Sequence, residues 1–283
     1  MNCIELKNIT KNFGNISALK NVSLKFEQNK IYGLLGRNGA GKCTLLNIIT
    51  SRIFPDSGEV IIDGEKAMEN DRALRKVYLM NEKILYPEGM RIREVFKWSQ
   101  EFYPNFDITY ANKLAEKFDL NTRKKVKELS TGYSSIFKII TALSVNTPYI
   151  LLDEPVLGLD ANNRDNFYRT LIENYNDSPK TIIISTHLIE EAANVVENII
   201  IIKNGEILKN ESCEELLSKG YTVAGSAAAV DRFIADKSII GCDSLGGLKT
   251  AYIWGKINKD SFPEDLEVTR LDLQKLFIKL TNV

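Results

Sequence analysis

The chain has 283 residues, 44% of them hydrophobic and 26% charged, which suits one large soluble globular domain or two smaller ones with ample core. Lys plus Arg and Asp plus Glu stand at 37 each, a balance that argues against a nucleic-acid binder or a protein drawn to an anionic membrane surface. Cys3, Cys43, Cys213 and Cys242 are scattered without a C-x-x-C pair, and His187 is the single histidine; this excludes the usual zinc patterns and suits a reducing compartment.

The opening MNCIELKN is polar and charged, unlike an ordinary secretory signal. Residues 4–26 read as short strands, because Val22, Leu24 and Phe26 alternate with Ser23, Lys25 and Glu27. The apolar run IYGLL (31–35) precedes GRNGAGKCT (36–44), and KCTLLNIIT (42–50) follows as a helix. Buried strand, glycine-rich loop and helix in that order make the phosphate loop G-x-x-x-x-G-K-[ST]. In such a loop, backbone N–H groups and the helix N-terminus cradle phosphates, and the lysine reaches the β and γ oxygens. The candidate nucleotide-binding residues are therefore Gly36, Arg37, Asn38, Gly39, Ala40, Gly41, Lys42, Cys43 and Thr44. Cys43 departs from the pattern. It holds the place of the hydroxyl that ligates Mg²⁺, a hard cation that prefers oxygen to sulfur.

Further along, SGEVIIDGE (57–65) reads as a strand between turn residues. From residue 91 the pattern becomes helical, with Ile92, Val95, Phe96 and Ser99 on one face and a break near Pro104. A second helix covers about 110–118, and the basic tract RKKVK (123–127) reads as a solvated helix face or loop. After LSTG, the residues Ile136, Ile139, Ile140 and Leu143 follow the i, i+3, i+4, i+7 rule. PYILLDEP and KTIIISTH read as buried parallel strands, joined by a helix with Tyr168, Leu171, Ile172 and Tyr175 on one face. Such alternation implies an α/β fold with a parallel sheet. The longest apolar runs are far short of a membrane span.

YILLDE delivers Asp153 and Glu154 to the C-terminal end of its strand, where open α/β sheets place ligands. Asp153 would hold Mg²⁺ directly or through water, and Glu154 would polarise the attacking water. LSTGY (129–133) opens a helix, so Ser130, Gly132 and the first helical N–H groups make a second anion site. GLD (158–160) follows the acidic pair, and His187 ends IIIST where a sensor of the γ-phosphate would lie.

This set of motifs resembles the ATP-binding cassette (ABC) ATPases over residues 1–210. The resemblance implies a P-loop NTPase whose parallel core sheet carries an N-terminal antiparallel β subdomain and a helical subdomain at about 86–143. A small α+β appendage would occupy 211–283. It also implies ATP and Mg²⁺ as ligands, Glu154 and His187 as catalytic residues, and Phe13 in KNFG stacked on adenine. Asn81 stands at the family's Q-loop glutamine, one methylene shorter, and would contact the metal directly or through water. The family signature is commonly L-S-G-G-Q; Ser130 and Gly132 match it, while Thr131 and Tyr133 do not. Two cassettes pair head to tail in this family, so Ser130, Thr131 and Gly132 would act in trans on the partner's ATP, with Asp160 coupling the two sites. The second cassette would be an identical chain or a homologue. A transmembrane permease would dock on the helical subdomain, with Phe96, Trp98, Phe102 and Tyr103 as candidate contributors, most of them core. That partner would place the protein at the cytoplasmic face of the membrane, with no nucleic acid involved.

The ending LDLQKLFIKLT resembles single-cassette exporters of the ABC-2 type. The variant signature and Asn81 resemble a Gram-positive subgroup that includes antimicrobial-peptide resistance systems and the phenol-soluble modulin exporter ATPase. Two other readings stay open. One is a cassette acting on ribosomes or in DNA repair, against which the chain shows neither a second cassette nor a coiled-coil insertion. The other is a regulatory cassette with weak hydrolysis, suggested by Cys43, Asn81 and the altered signature.

Overall fold

A computed structural model describes residues 2–255, 263 and 265–282, and the elements below are those of the described residues. Strands β1 (Cys3–Phe13) and β2 (Ile16–Glu27) form a long antiparallel hairpin. After β3 (Ile31–Leu35) and helix α1 (Lys42–Ile49), strands β4 (Ser57–Ile62) and β5 (Glu65–Lys66) return to the edge of β1 and complete a sheet of order β2-β1-β4-β5. The several short strands expected over 4–26 are thus two long ones. Register shifts between Leu6 and Lys11, with Asn8 at φ 52°, interrupt the alternation that would have revealed a single strand.

Helix α2 (Asp71–Leu74) leads into β6 (Val77–Met80) and then into three helices, α3 (Ile92–Phe102), α4 (Ile108–Lys117) and α5 (Thr131–Ser144), which pack on one another. Ile92, Val95, Phe96 and Ser99 are all buried on α3, as their spacing predicts. The basic tract before α5 is a loop ending in a 3-10 turn over Val126–Glu128, pinned by the Val126 N–H donating to the Met90 carbonyl at 2.9 Å.

The chain continues through β7 (Tyr149–Asp153), α6 (Ala161–Asp177), β8 (Thr181–Thr186), α7 (Ile189–Ala192), β9 (Asn198–Lys203) and β10 (Glu206–Ser212). These strands join β3 and β6 in a six-stranded sheet of order β10-β9-β3-β8-β7-β6, parallel throughout except at the β10–β9 edge. Strands β3, β7 and β8 are buried on both faces, which is why they read as unbroken apolar runs. Alternate residues serve opposite layers. Ile150, Leu152, Ile182 and Ile184 face the helical side, and Tyr149, Leu151 and Ile183 face α1 and the antiparallel sheet.

The remaining segment runs α8 (Cys213–Ser218), β11 (Gly220–Ser226), α9 (Ala227–Ile234), β12 (Ile239–Leu245), β13 (Leu248–Trp254), β14 (Glu267–Arg270) and α10 (Leu273–Thr281). Its strands form an antiparallel sheet of order β12-β13-β11-β14, in which β12 and β13 make a hairpin that turns at Gly246 and Gly247. Residue 210, the expected boundary, falls inside β10. The segment has a small core around Val223, Val230 and Ile253, yet Leu216, Leu271, Leu276 and Phe277 belong to the large core of the preceding fold.

Candidate nucleotide site

The loop after β3 is held by close backbone approaches. Gly41 has φ 111°, and a Cβ there would lie 2.6 Å from the Ala18 carbonyl oxygen, so glycine is required on both conformational and steric grounds. Gly41 also begins α1 without a side-chain cap, which leaves that helix N-terminus open to an anion. Lys42 is buried, with its ammonium donating to the Gly36 carbonyl at 2.7 Å and lying 3.8 Å from Glu154 Oε1.

Strand β7 brings Asp153 and Glu154 to the same place, and the two acids diverge. Asp153 Oδ1 accepts from Cys43 Sγ at 3.4 Å. Burial, reinforced by the Asp153 carboxylate, pushes the Cys43 thiol up to about 12. Glu154 turns the other way, placing Oε2 2.9 Å from His187 Nδ1. Its backbone has φ 47°, and its N–H donates to the Ser185 carbonyl on β8 at 2.8 Å. A cavity of about 400 Å³ is enclosed by residues 37–44, Ile16, Ala18, Glu82, Glu154, Leu157 and His187. Its walls combine phosphate-binding backbone, an ammonium and a carboxylate–imidazole pair.

The donor chemistry bears on Mg²⁺. Among the described residues, no cluster of three or more His, Cys, Asp or Glu side chains could hold a metal ion alone. The buried Asp153 carboxylate, with Glu154 turned away to His187, fits a cation that arrives with phosphate and water oxygens around it, as magnesium does. The thiol beside it does not share that hardness.

Several candidate residues stand apart from the cavity. Phe13 is 47% exposed at the end of the hairpin, with the Lys11 ammonium 5.5 Å from its ring centroid; Ile16 and Ala18 line the cavity and Phe13 does not. Asn81 lines a neighbouring cavity of about 740 Å³, and its backbone carbonyl accepts from the Lys138 ammonium at 3.2 Å. Glu82, which the sequence pattern did not single out, lines the phosphate cavity in its place. Only its position one residue beyond Asn81 could have drawn notice. Trp98 and Phe102, 55% and 65% exposed, line the larger cavity with Tyr103, whereas Phe96 lies in the core.

The residues assigned to the second anion site lie outside this chain's own phosphate cavity. Ser130 caps α5, its Oγ accepting from the Tyr133 N–H at 3.3 Å, and Asp160 caps α6, accepting from the Asn163 N–H at 2.8 Å. The turn at 157–160 joins them. Leu157 lines the cavity while its carbonyl accepts from Ser135 Oγ at 2.7 Å, and a Cβ on Gly132 would lie 2.9 Å from the Gly158 carbonyl oxygen. Gly132 is therefore fixed by packing against this turn as well as by any anion it could meet.

Comparison with known proteins places these motifs among similar chains. The family pattern described as "ABC transporter" matches residues 19–157. The ABC transporter ATP-binding protein YtrB of Bacillus subtilis is 30% identical over 213 residues, which is 75% of this chain and 73% of that protein. The sulfate/thiosulfate import ATP-binding protein CysA of Rhodopseudomonas palustris is 31% identical over 261 residues, covering 86% of this chain and 71% of the relative. Among solved structures, a dimeric bacterial ABC transporter cassette aligns with TM-score 0.66 and 28% identity over 74% of this chain and 98% of its own. A post-hydrolysis dimer of that cassette bound to ADP and Pi aligns with TM-score 0.65.

Proposed function

This chain belongs to the ABC transporter family, and we propose that it is the ATP-hydrolysing subunit of an exporter, working as a dimer beneath transmembrane partners. As a cassette of this family it is an ATPase. The observation that carries the site assignment is the convergence of Lys42, Glu154 and His187 on the cavity lined by the phosphate loop.

The chain's own groups divide the work as follows. Residues 36–44 bind phosphates through backbone N–H groups, and Lys42 adds a buried positive charge against the terminal oxygens. Glu154 orients the attacking water and takes up its developing proton, and His187 Nδ1 fixes the carboxylate's direction. Asp153 would hold the divalent cation, which would neutralise charge on the phosphate oxygens. Because Ser130, Thr131, Gly132 and Asp160 lie outside this chain's cavity, they are free to close on the ATP of a second cassette. Phe13 is exposed enough to meet an adenine ring. Asn81, which lines the neighbouring cavity, would approach the metal's water shell on movement of the segment held by Lys138.

The permease would dock at the 740 Å³ cavity, where Trp98 and Phe102 present exposed aromatic surface, and this would hold the chain at the cytoplasmic face. No helix among the described residues is long and apolar enough to cross a membrane itself. We assign residues 1–210 to the cassette and 211–283 to an accessory part, with β10 crossing the boundary. Export is supported by the resemblance of the C-terminal end to ABC-2 exporters, and a peptide or toxin cargo by the variant signature and Asn81; several similar proteins are named for import. A cassette with weak hydrolysis is the second reading, favoured by the Cys43–Asp153 contact. The test is steady-state ATP hydrolysis by the purified chain, followed by co-purification with membrane subunits. Turnover abolished by Glu154→Gln and capture of a polytopic partner are expected. ATP binding without turnover would favour the second reading.

A further inference from the structure

The place beside Lys42 that oxygen chemistry calls for is filled by sulfur, and the structure shows what that sulfur faces. Cys43 Sγ stands 3.4 Å from Asp153 Oδ1, and Asp153 is buried at the end of β7. A cation of the zinc type, with bonds of about 2.3 Å to sulfur and about 2.1 Å to oxygen, needs these two donors roughly 3.1 Å apart at a right angle and roughly 3.6 Å at a tetrahedral one. The observed separation lies between these limits. One cation could therefore take both donors with little movement of either backbone. Thiolate ligands favour soft and borderline cations, while Mg²⁺ gains little from sulfur.

We propose that Cys43 and Asp153 form a mixed sulfur–oxygen edge of the cation site, so that nucleotide is held here with a thiophilic divalent cation of the Zn²⁺ or Cd²⁺ kind in preference to Mg²⁺. The proposal rests on the nucleotide site described above. Binding forms a metal–sulfur bond and releases the thiol proton to solvent, one proton for each cation, with no redox change. Two protein donors are too few for a site that fills alone, and no larger cluster exists among the described residues, so the cation enters with phosphate oxygens completing its shell. Lys42 and Glu154 lie 3.8 Å from each other and offset one another's field there, with Arg37 and Glu82 the other charged side chains lining the cavity.

The experiment titrates Cd²⁺ into the full chain with and without a non-hydrolysable ATP analogue, reading sulfur-to-cadmium charge-transfer absorbance. A band that saturates near one equivalent only with the analogue, and that Cys43→Ser abolishes, is expected. The ratio of Mg²⁺ to Cd²⁺ dissociation constants, measured with the analogue present, should fall by on the order of tenfold or more in Cys43→Ser. Cys43→Thr serves as a second oxygen-bearing variant should the serine protein fold poorly. Equal selectivity in wild type and variants, or a band indifferent to Cys43, overturns the proposal. Analogue binding measured in parallel with excess Mg²⁺ and with Cd²⁺ separates the two levels: its absence from a folded wild-type chain under both conditions overturns the nucleotide site itself.

Discussion

Glu154 concentrates the chemistry of the site in one residue. Its φ of 47° places a non-glycine residue in the left-handed region, at a cost of about 1–3 kcal/mol. The surrounding structure holds that conformation through the N–H donated to Ser185 and the carboxylate engaged by His187. The acids themselves were legible in YILLDE, because an apolar strand ending in two carboxylates has few structural uses. Their divergence was not legible: it depends on a carbonyl from β8 and a thiol from α1, neither of them near in sequence. Glu154→Gln preserves size and the contact to His187 while removing the base. Turnover is expected to drop by a factor of about 10²–10⁴ with ATP binding retained, compared by steady-state hydrolysis and nucleotide titration. Turnover at the wild-type rate would remove Glu154 from its role.

At the scale of elements, α5 joins the two cavities. Its apolar period was legible, and so was its start at Ser130, a helix-capping residue type. Lys138 was not, because a lysine on that helix reads as solvated; in the structure it is buried, and its ammonium bonds the carbonyls of Asn81 and Glu82. Those two neighbours line different cavities, so Lys138 fixes the strip of chain between the phosphate site and the aromatic groove. Lys138→Met keeps most of the apolar stem and leaves both carbonyls without their cation. A loss of about 1–3 kcal/mol in denaturant unfolding is expected. Hydrogen exchange should rise over residues 81–86 more than over α1. Uniform exchange with unchanged stability would show that the strip is held by other contacts.

Over the whole molecule, the C-terminal part is tied to the cassette more closely than its sequence suggests. The apolar face of α10 reads alike whether it closes its own small core or another, so the boundary at 210 was legible only as a drop in motif density. In the structure α10 packs on α7, just beyond His187, and Arg37 of the phosphate loop donates to Asn282 at 3.4 Å. A chain ending at Ser218 would bare the α7 surface, including Ile189 and Ala192, and should melt at lower temperature while still binding ATP, since no described residue beyond Ser218 lines the phosphate cavity. A truncation that folds fully yet fails to bind nucleotide would show that the tail shapes the loop.

The last prediction concerns two chains at once. Ser130 lies outside the cavity that holds the buried Lys42, and the 157–160 turn links them only indirectly. If Ser130 acts on a partner's nucleotide, a Ser130→Arg chain and a Lys42→Ala chain should each be inactive alone, since both composite sites are then damaged. Mixed, they form hybrid dimers in which one site has both defects and the other has neither. Hydrolysis should reappear at up to about half the wild-type rate per hybrid if the sites work independently. The measurement needs hybrid formation shown separately, by tagged co-purification with ATP. No recovery in hybrids that form would contradict independent action in trans.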